Sequence, residues 1–275
     1  MSGVAIPDSN LAQGEKEPRQ VLIEAKSLSK VFETRGFDSV LALAKLTFNI
    51  RQGEFVSVIG QSGCGKSTLM RILAGLIPYS AGSLTIKGDP VSGPSSECAI
   101  VFQSPVLLPW RTVLDNVLLP MELKRLPANS HRERALSILK MVGLQDFSRR
   151  HPYELSGGMQ QRVAIARALI QEPSLMLMDE PFGALDAMSR EQMNIELLRI
   201  WKHTENTIVF ITHSVSEAVF LSDRVIAMTA RPGTIAEVIE IDLPRPRELS
   251  VVNTERFGRY SERLRSLLNA TGAMF

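Results

Sequence analysis

The sequence predicts an α/β fold: a parallel sheet with helices packed on it and a mostly helical insertion. Three observations carry that reading. Short, largely apolar runs recur at 55–59 (FVSVI), 97–102 (ECAIVF), 175–178 (LMLM) and 207–211 (TIVFI). Runs of this length are what strands buried on both faces look like. Helix-like stretches separate them, and such alternation sets strands side by side in parallel. Residues 112–144 differ in character and read as helical, which makes them the insertion.

The elements follow in chain order. Residues 1–20 are polar and read as a flexible lead; they lack the basic and apolar regions of a signal peptide. Residues 41–50 (LALAKLTFNI) look like a strand, closed by the turn Arg51-Gln52-Gly53. The strand 55–59 runs into a glycine-rich loop and a helix at about 66–74. After the strand 97–102, the helical stretch carries Leu136, Leu139 and Lys140 in one periodic run, with Gly143 as its stop signal. Met159, Val163, Ala166 and Ile170 then recur at helical spacing until Pro173. The strands 175–178 and 207–211 follow. Residues 225–241 read as strand, the turn Arg231-Pro232-Gly233, and strand. Phe257, Tyr260, Leu264 and Leu267 place a helix over 251–268.

Composition narrows the function. The 275 residues are 44% hydrophobic and 22% charged, an ordinary globular balance. A net charge of +2 is too small to argue for nucleic acid. Cys64 and Cys98 form neither a disulfide framework nor a zinc pattern, which fits a reducing cytosol. No apolar run approaches the ~20 residues that span a bilayer.

The chemistry is concentrated in a few motifs. GQSGCGKST (60–68) fits G-x-x-x-x-G-K-[ST] between a strand and a helix. Gly60, Gln61, Ser62, Gly63, Cys64, Gly65 and Thr68 are then the loop that wraps a phosphate. Lys66 supplies charge at the β and γ phosphates, and the Ser67 hydroxyl can ligate Mg²⁺. LMLMDE (175–180) ends an apolar strand in two carboxylates: Asp179 to hold Mg²⁺, Glu180 to act as general base on the attacking water. Gln103 and His213 each follow an apolar strand. A neutral amide at 103 can touch both metal and water, and a histidine at 213 can donate to a γ-phosphate. Ser156-Gly157-Gly158 opens a helix whose bare N–H groups suit an anion, or else Ser156 is simply its cap. Cys64 lies beside a helix start and Lys66, both of which favour a thiolate. The expectation is that alkylation there blocks ATP binding.

LSGGMQQR (155–162), with the glycine-rich loop before it, Gln103 between them, and LMLMDEP, ALD (184–186) and His213 after it, resembles the ATP-binding subunit of ABC transporters. The resemblance covers about residues 21–245. It implies a P-loop NTPase fold with a RecA-like parallel-sheet core, an N-terminal antiparallel β subdomain, a helical subdomain inserted at about 104–160, and a helical tail at 246–275. It implies that Ser156, Gly157 and Gly158 act on the ATP of a partner subunit in a homodimer, and that Asp186 communicates across that dimer. Phe32 is placed like the aromatic residue that stacks on adenine, although the family more often has Tyr there; a core Phe at a strand end is the other reading. The chain has GALD where SALD is common.

A finer match lies in VFQSPVLLPWRTVLDNVLLPMEL (101–123) and TARPGTIAEVIEIDLPRPR (229–247), which look like the nitrate/sulfonate/taurine importer branch. Such systems join two ATPase subunits to permease subunits and an extracytoplasmic solute-binding protein. The implied place is the cytoplasmic face of the inner membrane, held there by the permease, with ATP and Mg²⁺ as ligands and no nucleic acid. The apolar segment Val106-Leu107-Leu108-Pro109-Trp110 is either a permease interface or core packing. Soluble ABC proteins usually carry two cassettes or long heptad insertions, and this chain has neither. A guanine-specific Asn-Lys-x-Asp motif is also lacking.

Overall fold

The computed structural model describes residues 19–33 and 39–270. Most of the expected lead, residues 1–18, and the last residues of the tail, 271–275, lie outside the described residues. The elements run β1 (Val21–Glu33), β2 (Ser39–Arg51), β3 (Phe55–Gly60), α1 (Lys66–Leu73), β4 (Ala81–Ile86), β5 (Asp89–Pro90), β6 (Cys98–Val101), α2 (Val113–Leu123) and α3 (Ala128–Met141). They continue α4 (Gly157–Leu169), β7 (Leu175–Asp179), α5 (Ala187–Thr204), β8 (Thr207–Thr212), α6 (Val215–Leu221), β9 (Arg224–Met228), β10 (Ile235–Glu240) and α7 (Glu255–Ala270).

Two sheets form. A six-stranded sheet has the order β10-β9-β3-β8-β7-β6, and a four-stranded sheet the order β2-β1-β4-β5. In the larger sheet β9, β3, β8, β7 and β6 pair in parallel, and β10 adds antiparallel at one edge. The smaller sheet is antiparallel throughout.

The parallel strands are buried on both faces because each alternates between two cores. Phe55, Ile59, Met176, Met178, Ile208 and Phe210 face a cluster built with α2 to α7. Val56, Val58, Leu175, Leu177, Val209 and Ile211 face a second cluster. That second cluster is closed by α1 and the apolar side of the antiparallel sheet, including Ile23, Leu43 and Ile50. Period-two alternation puts both sets on one strand. The aromatic row Trp201–Phe55–Phe210–Phe182, with ring centroids 5.8–5.9 Å apart, ties α5 to the centre of the sheet.

Within the insertion, Ala135, Ile138, Leu139 and Val142 are core residues. Leu136, expected in one periodic run with Leu139, is instead exposed, because the buried face is centred on Ala135, Ile138 and Val142 and Leu136 lies beyond its edge. Helix α4 continues past residue 160 and packs on α2, α3, β6 and α5, which joins the insertion to the sheet.

Candidate active site

Four adjacent parallel strands end at one edge of the sheet, and each delivers a candidate residue there. β3 leads into the 60–68 loop and β7 ends in Asp179-Glu180, while β8 leads to His213 and β6 to Gln103. Carboxyl ends of parallel strands are where α/β sheets bind ligands.

The loop is shaped by its glycines and its lysine. Gly65 caps α1 with φ 98° and no side-chain cap, and a Cβ there would lie 2.5 Å from Leu43 Cδ2. Only glycine fits both demands. The Lys66 ammonium donates to the carbonyls of Gly60 (2.7 Å) and Gln61 (2.9 Å), so the charge is held on the loop itself. Ser62, Gly63 and Ser67 are exposed, while Gln61 and Thr68 are half-buried.

Asp179 is half-buried, with the Ser67 hydroxyl beside it. Burial first, and then the neighbouring charge of Glu180, push its pKa up against the opposing pull of Ser67, Lys66 and Arg71. A carboxylate with a second carboxylate and a hydroxyl beside it suits a hard divalent cation. Among the described residues no three His, Cys, Asp or Glu side chains surround a common point. The fit therefore rests on Asp179 and Ser67, with remaining positions left to the Gln103 amide, phosphate and water.

Glu180 has φ 44°, a left-handed conformation that costs a non-glycine residue about 1–2 kcal/mol. Its N–H donates to Ile211 O at 2.9 Å, and its own carbonyl accepts from Gly183 N at 3.0 Å. The strained turn aims the carboxylate at His213, whose Nδ1 is 3.2 Å from Glu180 Oε2. Gln103 closes the group: a Cβ on Gly183 would sit 3.1 Å from Gln103 Nε2, so the amide lies against the residues after Glu180.

Ser156 caps α4 by accepting from Met159 N at 3.4 Å. Leu185 Cδ2 and Met193 Sδ lie 3.5 and 4.0 Å from where Cβ atoms of Gly157 and Gly158 would be. Asp186 caps α5, accepting from Ser189 N and Ser189 Oγ, which holds its carboxyl below the ordinary range. Phe32 lies at the end of β1, 39% exposed, with Lys30 Nζ 4.9 Å from its ring centre. It is not a core residue.

Residues 43–183 match the ABC transporter family. The chain belongs to that family. It is similar to the taurine import ATP-binding protein TauB of Rhizobium johnstonii, at 41% identity over 91% of this chain and 97% of that one. It is similar to the nitrate import ATP-binding protein NrtD of Synechocystis sp., at 43% identity over 90% and 94%. Among solved structures, the dimeric post-hydrolysis ATP-binding cassette MJ0796 bound to ADP and Pi aligns with a TM-score of 0.69 and 32% identity, covering 81% of this chain and all of that one. The subunit is an ABC ATPase.

One expectation for this ATPase is overturned. Cys64 is 1% exposed and its thiol is turned into the core beside Gly60, with Lys66 Nζ at 3.9 Å. A buried thiol is screened from alkylating reagents, so Cys64 is part of the loop's packing and not a reactive nucleophile. Other residues that shape the site were not read from sequence. Gln161 of α4 donates to Phe102 O at 3.1 Å, and Arg167 donates to Pro105 O (2.7 Å) and Val106 O (2.8 Å), so α4 grips the chain on both sides of Gln103. Arg231 lies with its guanidinium 3.1 Å from the Cβ position of Gly63, placing a second cation beside the loop.

Proposed function

We propose that the chain powers import of a small solute, of the taurine or nitrate type carried by its relatives, through a separate permease served by an extracytoplasmic binding protein. The subunit works as a homodimer at the cytoplasmic face of the membrane. Among the described residues no helix is long and apolar enough to cross a membrane, so attachment runs through the permease. Val106 and Trp110, 59% and 72% exposed in the segment that Arg167 holds, are the permease-facing residues of this reading. Leu107 instead packs against the core, so the segment serves both purposes.

The observation that carries the proposal is the meeting of Lys66, Asp179, Glu180, His213 and Gln103 at one sheet edge. The 60–68 loop N–H groups and Lys66 take the phosphates of ATP, and Phe32 stacks on the base. Asp179, Ser67 and Gln103 would hold Mg²⁺, and the ion would supply charge neutralisation at the phosphates. Glu180 takes the proton of the attacking water. His213 fixes the Glu180 carboxylate and donates toward the γ-phosphate. Ser156, Gly157 and Gly158 of the partner subunit cover the same phosphate, and Asp186 lies across that interface. Residues 21–245 form the ATPase unit of this reading, with 104–160 as its helical insertion.

The Glu180→Gln substitution tests it. The amide keeps size and loses the base, a change worth roughly 10²–10⁴-fold in rate. Hydrolysis should nearly stop while ATP still binds, and light scattering should show a dimer that requires Mg-ATP. Adding Ser156→Arg should remove that dimer. Parental hydrolysis by Glu180→Gln would refute the assignment of the base.

A further inference from the structure

A buried carboxylate lies behind His213 that the reaction as described does not use. Glu217 of α6 is 7% exposed. Its Oε2 accepts a hydrogen bond from Thr212 Oγ1, and its N–H donates to Ser214 Oγ at 3.3 Å. Ser214 N in turn donates to Thr212 Oγ1 at 2.9 Å. Thr212 and Ser214 flank His213, so one glutamate fixes the turn that presents the histidine to Glu180.

The other oxygen faces a different segment. Glu217 Oε1 is 3.8 Å from Arg190 Nε. Arg190 donates from Nε to Phe182 O (3.3 Å) and from a terminal nitrogen to Leu185 O (2.9 Å). The guanidinium thus ties both ends of the segment 182–185, which includes the Gly183 against which Gln103 rests and the Leu185 that borders Gly157. Burial, with a smaller push from Glu180, raises the Glu217 pKa against the opposing pull of Thr212, Arg190 and His213. A planar fork that binds two carbonyls and still faces a carboxylate is a rigid connector, which lysine cannot copy.

We propose that Arg190 and Glu217 are positioning residues that lock the His213 turn to the 182–186 segment, so that movement of that segment re-aims His213 at Glu180. The inference rests on the ATPase reading above and adds a mechanical path to it. The path runs from the start of α4, through Leu185, Arg190 and Glu217, to His213. It joins the surface offered to a partner subunit with the centre that cleaves ATP in its own subunit.

The full-length chain tests this with Glu217→Gln, Arg190→Met and the double variant. Mg-ATP hydrolysis, ATP affinity and thermal stability are measured separately. Each single substitution should lower kcat about tenfold and leave ATP affinity within about twofold, and the double should be no worse than either single. Arg190→Lys should recover little. A role in stability alone would shift Tm and leave kcat per folded protein intact. Parental kcat in either folded variant, or losses that multiply in the double, would overturn the link. If Glu217→Gln fails to fold, the less buried Arg190→Met decides by the same split of kcat against affinity. A parental chain that hydrolyses no ATP would instead sink the ATPase reading, so the two failures are distinguishable.

Discussion

The molecule opens two helices on glycine-bearing turns, and they are built differently. At the start of α1, Gly65 sits at φ 98° with Leu43 pressed against it and no side-chain cap. Its own chain demands the glycine. At the start of α4, Ser156 caps the helix, and Gly157 and Gly158 meet only ordinary contacts at 3.5 and 4.0 Å. A methyl group would fit at both positions, and glycine there forgoes part of the roughly 0.5–1 kcal/mol that alanine gains over it inside a helix. Among the described residues nothing calls for glycine at either position. The first turn's glycine is explained by its own chain, whereas the second turn's glycines are not.

That contrast can be broken in four places. Gly65→Ala should act hardest, because left-handed backbone and a clash with Leu43 add to at least about 2 kcal/mol. Chemical denaturation should show the loss, and nucleotide binding should vanish with it. Lys66→Ala keeps the helix but removes two bonds to loop carbonyls, so Tm should fall only modestly while hydrolysis falls roughly 10²-fold or more. A variant that unfolds instead would mean that the lysine's bonds to the carbonyls of Gly60 and Gln61 hold the loop together in the absence of nucleotide. Gly158→Ala should raise Tm slightly, yet weaken the Mg-ATP dimer of Glu180→Gln about tenfold by crowding the partner's phosphate. A destabilised monomer with an intact dimer would erase the distinction between the two turns. The smallest effect belongs to the thiols. Cys64 is buried and burial pushes the Cys98 thiol up to about 12, so neither should react with iodoacetamide at a pH of about 8 in the folded protein. Mass spectrometry should find both modified only after denaturation.

The parallel strands and the phosphate loop were legible because their signals are local. A short apolar run, or a glycine and lysine at fixed spacing, needs no knowledge of distant chain. β1 was harder to read: its register slips against β2 at several points and Ser27 takes φ 50°, so its burial does not alternate cleanly. The reactive reading of Cys64 failed for a related reason, since position in a loop does not say which way a side chain turns. Arg190, Gln161 and Arg231 were invisible in sequence. Gln161 meets Phe102 across 59 residues, and no periodicity announces such a pairing.

The turn at Gly233 has a consequence for biosynthesis. Its N–H donates to Ala42 O at 3.0 Å, its carbonyl accepts from Ala44 N at 2.9 Å, and a Cβ there would collide with the carbonyl oxygen of Cys64. The rear of the phosphate loop is therefore walled by residues from widely separated parts of the chain. A ribosome that has already released every motif from Gly60 to His213 has still not delivered Gly233. Nascent subunits consequently finish this wall late, only after translation has passed the β9–β10 hairpin.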